Sequence, residues 1–316
     1  MREQMISSAL KRGEPGWYYR LGTYFKEQFG QPVYKIPLDA GFSCPNRDGT
    51  VGTGGCSYCY NPSFSPHSRE GQPPALIEQL QKGKKKKPAL YLAYFQSYTN
   101  TYAPLHKLKE LYDQALAIPE VIGLSIATRP DCLSAEILDL LEDYAGRCHL
   151  WVEFGLQSAH DKTLKRINRG HSKADFVKAV TLTRERGIRV CAHIILGLPG
   201  ETPAMYAETI DLLNSNGIEG IKFHHLQVIR NTPLAEEYTT GGLPVFVNLA
   251  DYLPHLCDCL ELLNPATVVH RLASQSTRAD DLLITPNWPE SAGQIAAAVT
   301  GELKKRGTHQ GCRFCQ

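Results

Sequence analysis

The chain has 316 residues, 42% of them hydrophobic, 21% charged and 9% aromatic. That composition excludes disordered and fibrous classes, and a chain this long removes roughly three quarters of its unfolded surface from water, enough for a core without disulfide staples. Lys plus Arg number 34 against 32 Asp plus Glu, a formal charge of +2. The global field therefore does not collect nucleic acid, and any RNA contact must come from local patches.

The opening MREQMISSALKRGEPGW holds no apolar run fit for a signal peptide, and no stretch approaches bilayer-spanning length. A reducing cytoplasm and no membrane contact are expected. The ten cysteines then point to metal, catalysis or free thiols sooner than to disulfides. In chain order, strand-like runs occupy Val33 to Leu38, Ala89 to Phe95, Val121 to Ala127, Leu150 to Phe154, Ile188 to Leu196 and Ile218 to Val228. Helical patterns lie between them at Tyr102 to Ala117, Ser134 to Tyr144, Lys173 to Arg186 and Thr202 to Asn214. Ser134, Ser172 and Thr202-Pro203 are helix-start signals. Alternating β and α units predict a parallel sheet with right-handed crossovers. Six units suggest an α/β partial (β/α)6 TIM-type barrel, with an open doubly wound sheet as the rival. The expected divisions are an N-terminal cap over 1–32, the barrel over 33–232 and an α-rich C-terminal extension over 233–316. That extension carries helices near Leu249 to Leu263 and Ala292 to Lys305 and closes over the barrel.

The long gap after the first run contains GFSCPNRDGTVGTGGCSYCYNPSF, which sets Cys44, Cys56 and Cys59 in a C-x11-C-x2-C arrangement. Long loops without secondary structure are usually functional. Three thiolates suit two readings. A structural zinc site needs a fourth ligand, His67 or a distant cysteine. An iron–sulfur cube held at three corners leaves one iron open to a non-protein ligand.

CSYC has the C-x-aromatic-C ending of the cluster motif in radical S-adenosylmethionine (SAM) enzymes, although their first spacing is three residues rather than eleven. With KIPLDAGFSCPNRDGT, YFQSYTNTYAPL, ATRPDCL, WVEFGLQSAHDKTLKRINRGH and HIILGLPGE, nearly the whole chain resembles the YhcC-like, Elp3-related group of that superfamily. The resemblance implies a partial barrel of the radical SAM type. It also implies a [4Fe-4S] cluster on Cys44, Cys56 and Cys59, and S-adenosyl-L-methionine as the ligand of the fourth iron. Gln157 and Arg169 match positions that touch the cofactor in related enzymes, and His193 stands where some relatives carry an acidic residue.

The residues themselves place Gln96, Ser97, Thr128, Arg129, Gln157, Ser158 and Gly197 to Glu201 at the carboxyl ends of the expected strands, where parallel barrels build active sites. Gly197 and Pro199 lie in a turn whose glycines let backbone approach an adenine. Tyr58 is expected beside the cofactor, and Thr99 and Asn100 near the substrate. Strand alternation aims Glu153 into the barrel, where a buried carboxylate needs a partner, here expected from cofactor or substrate. Cys132, Cys148, Cys191, Cys257 and Cys259 read as inert packing thiols. Cys312 and Cys315 close the chain as a C-x2-C pair on a mobile tail.

Lysines 82 and 84 to 87 form a basic run, and Tyr18, Tyr19 and Tyr24 offer stacking faces; together they suit RNA if they border the barrel mouth. The resemblance implies a transfer RNA substrate, with 5-carboxymethylaminomethyluridine converted to 5-aminomethyluridine at the wobble position, and a one-electron donor such as flavodoxin or ferredoxin. A small-metabolite enzyme is the rival; it predicts a mouth closed by the C-terminal region and lysines facing away from it. A zinc-binding RNA adaptor without catalysis comes last.

Overall fold

The computed structural model describes residues 16–63, 65, 73–274 and 282–315. His67 and the first 15 residues of the expected N-terminal cap lie outside them. Helix α1 (Leu21–Phe29) precedes β1 (Val33–Leu38), and α2 (Leu76–Gly83) leads to β2 (Leu90–Phe95). Then follow α3 (Leu105–Leu116), β3 (Val121–Thr128), α4 (Ala135–Arg147), β4 (His149–Gln157), α5 (Asp161–Arg166), α6 (Lys173–Glu185), β5 (Arg189–Leu196), α7 (Pro203–Ser215) and β6 (Gly220–His225). The start signals act as read. Ser134 accepts from the Ile137 amide, Ser172 forms a capping box with Asp175, and Thr202 sets Pro203 at the first turn of α7.

Past β6 come β7 (Val228–Ile229), α8 (Pro233–Thr239), α9 (Leu249–Leu262), β8 (Val268–Arg271), β9 (Leu283–Thr285) and α10 (Ala292–Arg306). The parallel sheet runs β1-β2-β3-β4-β5-β6-β8 and has seven strands, not six. The region after 232 is therefore more than a cover, because α9 and β8 add another crossover unit and Val268 pairs beside Gly220. The open-sheet rival fails at the edges. A parallel bridge joins Arg20 to Val269 on β8, and α1 packs against both β1 and β8, so the N-terminal segment spans the gap between the outer strands.

Inside the barrel lie two layers. The floor is apolar: Tyr24 and Phe25 of α1 pack on Val33, Leu92, Trp151, Cys191 and Val268. Each such large side chain contributes about 1.5–3 kcal/mol by leaving water. Tyr24 is thus buried, and Tyr19, packed on the same cluster, donates to Glu27; these two close the floor, whereas buried Tyr18 lines the cavity with Arg20 over its ring. The lysine run also sits at the floor end. It links α2 to the start of β2, Lys84 pairs with Glu120 just before β3, and Lys85 lies over the Tyr34 ring. The carboxyl ends of the strands, and so the mouth, are on the opposite side. The tail is docked rather than mobile: the Gln310 side chain takes the Tyr19 amide and donates to the carbonyls of Asn264 and Thr267. Cys312 and Cys315 remain exposed on it.

Candidate active site

The eleven residues between Cys44 and Cys56 are folded, which explains how the long spacing works. The amides of Arg47 and Asp48 turn back to the Cys44 carbonyl, and an antiparallel bridge joins Asp48 to Thr53. Gly49 bonds Gly52 across the tip, with Gly49, Gly54 and Gly55 at positive φ where a side chain would be strained. The loop is then tied to the end of α5. Ser57 N–H donates to Ile167, and Asn168 Nδ2 to the Gly55 carbonyl (2.8 Å). Asn46 Nδ2 returns the contact on the Asn168 carbonyl (2.7 Å). Cys44, Cys56 and Cys59 all line one cavity of about 950 Å³.

Burial and the neighbouring Cys56 push the Cys59 thiol up to about 12, with Cys44 adding in the same direction. Thiols gathered at one place become ligands together only when a cation neutralises their thiolates, which is the chemistry of a metal cluster. Arg169 supports the same place. Its Nη1 donates to Cys56 Sγ (3.4 Å), while Nε and Nη2 donate to the Gly155 carbonyl (3.2 and 2.7 Å). That carbonyl is free because the register of β4 against β5 shifts between Gly155 and Gln157, and Gln157 takes a positive φ. Arg169 therefore makes no helix-terminal salt bridge among the described residues. A Cβ on Gly155 would stand 2.5 Å from Arg169 Nη2 and 2.6 Å from Gln157 Nε2, so only glycine lets the two side chains close over this strand end. The hydrogen-bonding side chains, the thiols and the open space above them fit a cluster with an amino-acid-bearing cofactor.

Gln96, Tyr58, Gln157, Arg169, Glu153 and His193 line the cavity together with the cysteines. Ser97 is buried with its hydroxyl unpartnered, and Asn100 lies inside, bonding the Ala127 carbonyl (2.7 Å); neither lines the cavity, whereas Thr99 does. Gly197 and Pro199 do not line it either. A Cβ on Gly197 would meet the Phe246 ring at 2.9 Å, and its amide bonds Tyr206, so the glycine there admits the protein's own aromatic packing.

Glu153 does point inward, but the chain supplies its partners. Lys35 and Lys222 each reach it at 2.5 Å, His193 Nε2 at 2.7 Å, and Ser125 also donates to it. These ammonium groups hold the carboxyl well below its usual range in spite of burial. Burial, with Lys222 adding, lowers His193 to about 4, so it is neutral at pH 7. Tyr94 completes this polar layer, with Lys222 Nζ 3.9 Å from its ring centroid. Lys35 and Lys222 were missed in the sequence, although a lysine inside VYKIPL and GIKFHH, on the inward parity of its strand, is the signal that finds them. Glu153, Cys191 and His270 bring ligand atoms within 4.8 Å of one another, yet the two lysines already occupy both carboxylate oxygens and repel a metal cation.

A parallel half-barrel, with a three-cysteine loop after its first strand and polar groups at its strand ends, defines a radical SAM enzyme. A model of the Radical SAM superfamily matches residues 48–213 and one of the Radical_SAM C-terminal domain residues 218–305. The chain belongs to the radical SAM superfamily, and its cofactors are a [4Fe-4S] cluster and SAM. It is 40% identical to the uncharacterized protein YtqA of Bacillus subtilis over 94% of this chain and 92% of that one. It is 39% identical to protein YhcC of Escherichia coli over 85% and 87%. A shorter match, 34% identical over 38% of this chain and 22% of the relative, is to the tRNA uridine(34) acetyltransferase of Methanocaldococcus infernus. Among solved structures, the Elp3 of that archaeon, lacking N-terminal residues 1–46, superposes with a TM-score of 0.61 at 18% identity, covering 88% of this chain and 64% of that one. Among the described residues no helix is long and apolar enough to cross a membrane.

Proposed function

We propose that this radical SAM enzyme modifies the wobble uridine of transfer RNA, removing the N-carboxymethyl group of 5-carboxymethylaminomethyluridine to leave 5-aminomethyluridine. The observation that carries the reading is the match of 38% of the chain to a tRNA uridine(34) acetyltransferase, joined to a cavity large enough for a flipped base. In this reading Cys44, Cys56 and Cys59 hold the cluster, and Gln157, Arg169, Tyr58 and Gln96 hold SAM. When bound, the reduced cluster and SAM supply a 5′-deoxyadenosyl radical, the electron coming from a donor such as flavodoxin or ferredoxin. The chain's part is placement. Arg169 ties the cysteine loop to β4, so loop and cavity wall move as one body. The sealed floor shuts water out from below. His193, neutral and bonded to Glu153, presents an uncharged ring to the cavity.

The test is nucleoside analysis of transfer RNA from a deletion strain, complemented with wild type or with Cys56→Ala. Accumulated 5-carboxymethylaminomethyluridine, cleared by wild type alone, is the expected result; unchanged wobble uridines refute the substrate. A second reading, chemistry on a small metabolite, draws on one observation: lysines 82 and 84 to 87 lie at the end opposite the mouth. Wobble uridines that stay unchanged in the deletion strain would favour it.

A further inference from the structure

The cavity wall carries far more positive than negative charge, and most of the imbalance is already matched. Near the mouth, Arg129 is paired with Asp131 (2.7 Å), and Arg47 and Arg169 bond the cysteine loop. Arg20 is turned to Thr300 and the Tyr18 ring. Deeper in, Lys35, Lys222 and Arg271 share the cavity with Glu153, its one lining carboxylate among the described residues. Glu153 is shared by Lys35 and Lys222. Arg271 stands in register with Lys222 across β6 and β8 and has no hydrogen bond or ion pair among the described residues.

Three cations over one carboxylate leave a surplus of about two charges in a chamber with low-dielectric walls, which focuses the field on whatever anion enters. Lys222 is only 2% exposed, so water does little to screen it. Buried acceptors and donors are also left open beside it: His224 Nε2 and His270 Nε2 have no partner, and both rings line the cavity. One lysine would neutralise Glu153. A second, with an unpaired arginine in register, suits an anion brought by the substrate.

We propose that the wall between β6 and β8 is an oxyanion subsite in which Arg271 and Lys222, beside His224, receive a carboxylate of the substrate. A guanidinium fork takes a carboxylate through two parallel hydrogen bonds, and Lys222 adds a point charge from the neighbouring strand. The assignment of that acid to the N-carboxymethyl group of a wobble uridine rests on the reading above, while the subsite itself rests on the charge count.

The test has two arms. In the first, reconstituted protein is labelled with phenylglyoxal in acetate, inorganic phosphate or chloride at equal ionic strength, and Arg271 is followed by peptide mass spectrometry with exposed Arg313 as internal control. Acetate should slow labelling of Arg271 several-fold relative to chloride and leave Arg313 unchanged, and the protection should disappear in Lys222→Met. Equal labelling of Arg271 in acetate and chloride overturns the subsite, and stronger protection by phosphate than by acetate overturns its assignment to a carboxylate. The second arm is calorimetric binding of two nucleosides to protein carrying SAM. 5-Carboxymethylaminomethyluridine should bind about tenfold or more tightly than 5-methylaminomethyluridine, which lacks only the carboxylate. The gap should close in Arg271→Gln and be partly restored in Arg271→Lys. Equal binding of the two nucleosides by wild type refutes the subsite. Acetate protection with no binding of either nucleoside upholds the subsite and removes the wobble-uridine reading.

Discussion

Replacing Glu153 by glutamine keeps the side-chain volume and removes the one carboxylate of the polar layer. In the folded protein it is 0% exposed and accepts from Lys35, Lys222, Ser125 and His193. The amide carries one acceptor oxygen in place of two and no charge, so two buried ammonium groups lose their counter-ion. Breaking a buried pair in this way costs about 3–5 kcal/mol, a large share of the roughly 5–15 kcal/mol that holds a domain folded. The loss should depend on pH. Burial already holds Lys35 and Lys222 below the ordinary lysine value, and without Glu153 they fall further. A base whose folded pKa is depressed binds fewer protons folded than unfolded, so its penalty is full below the folded value and is relieved as pH rises toward the unfolded value of about 10.4. Glu153, with its own folded pKa depressed, contributes stability above about pH 4.3 that is lost as pH falls. Urea unfolding of wild type and Glu153→Gln, followed by circular dichroism from pH 5 to 10, should show a gap that is widest in the acid-to-neutral part of the range and narrower at pH 10. A gap below about 1 kcal/mol at pH 7, or one unchanged up to pH 10, refutes the charge argument.

Gly155→Ala should displace Arg169 and Gln157 from the strand end, costing about 1–3 kcal/mol and lowering both iron content after reconstitution and SAM affinity measured by calorimetry. Phe25→Ala opens the floor and should cost about 3–5 kcal/mol in urea unfolding; a value near zero would mean that α1 does not seal the barrel. Changing lysines 84 to 87 to glutamine should leave transfer RNA affinity and its salt dependence unchanged in filter binding, since these residues face away from the mouth; a marked fall would place RNA at the floor.

The strands and helices that position the site were legible because each strand is an apolar run bounded by a capping or turn signal, as at Ser134, Ser172 and Thr202. Strand β8 was not, because its four residues VVHR are too few to show alternation, and its identity depends on pairing with β6 far upstream. Cavity residues near the strand ends, Gln96, Gln157 and Arg169, followed from the βα pattern and the resemblance. The Phe246 ring beside Gly197 was not legible, because a glycine's close approach to backbone or ring looks the same in sequence whichever partner comes. Tyr24 misled for a related reason: an aromatic ring serves as a stacking face or a plug, and only the three-dimensional position of α1 tells which. Glu153 was placed correctly inside, but its partners sit 118 residues before it and 69 after, a pairing that no local window shows.

The docking of Gln310 on Tyr19 spans 291 residues of chain, so the underside of the barrel is completed only after all seven strands of the sheet have been made. At about 5–20 residues per second, about 15 to 60 s separate the emergence of the two partners. Between the emergence of β6 and that of β8, β6 presents an unpaired sheet edge beside a floor that lacks its final brace. Newly made protein therefore passes through a state that invites chaperones or edge-to-edge aggregation, and slower translation of the last third should lower the yield of native enzyme.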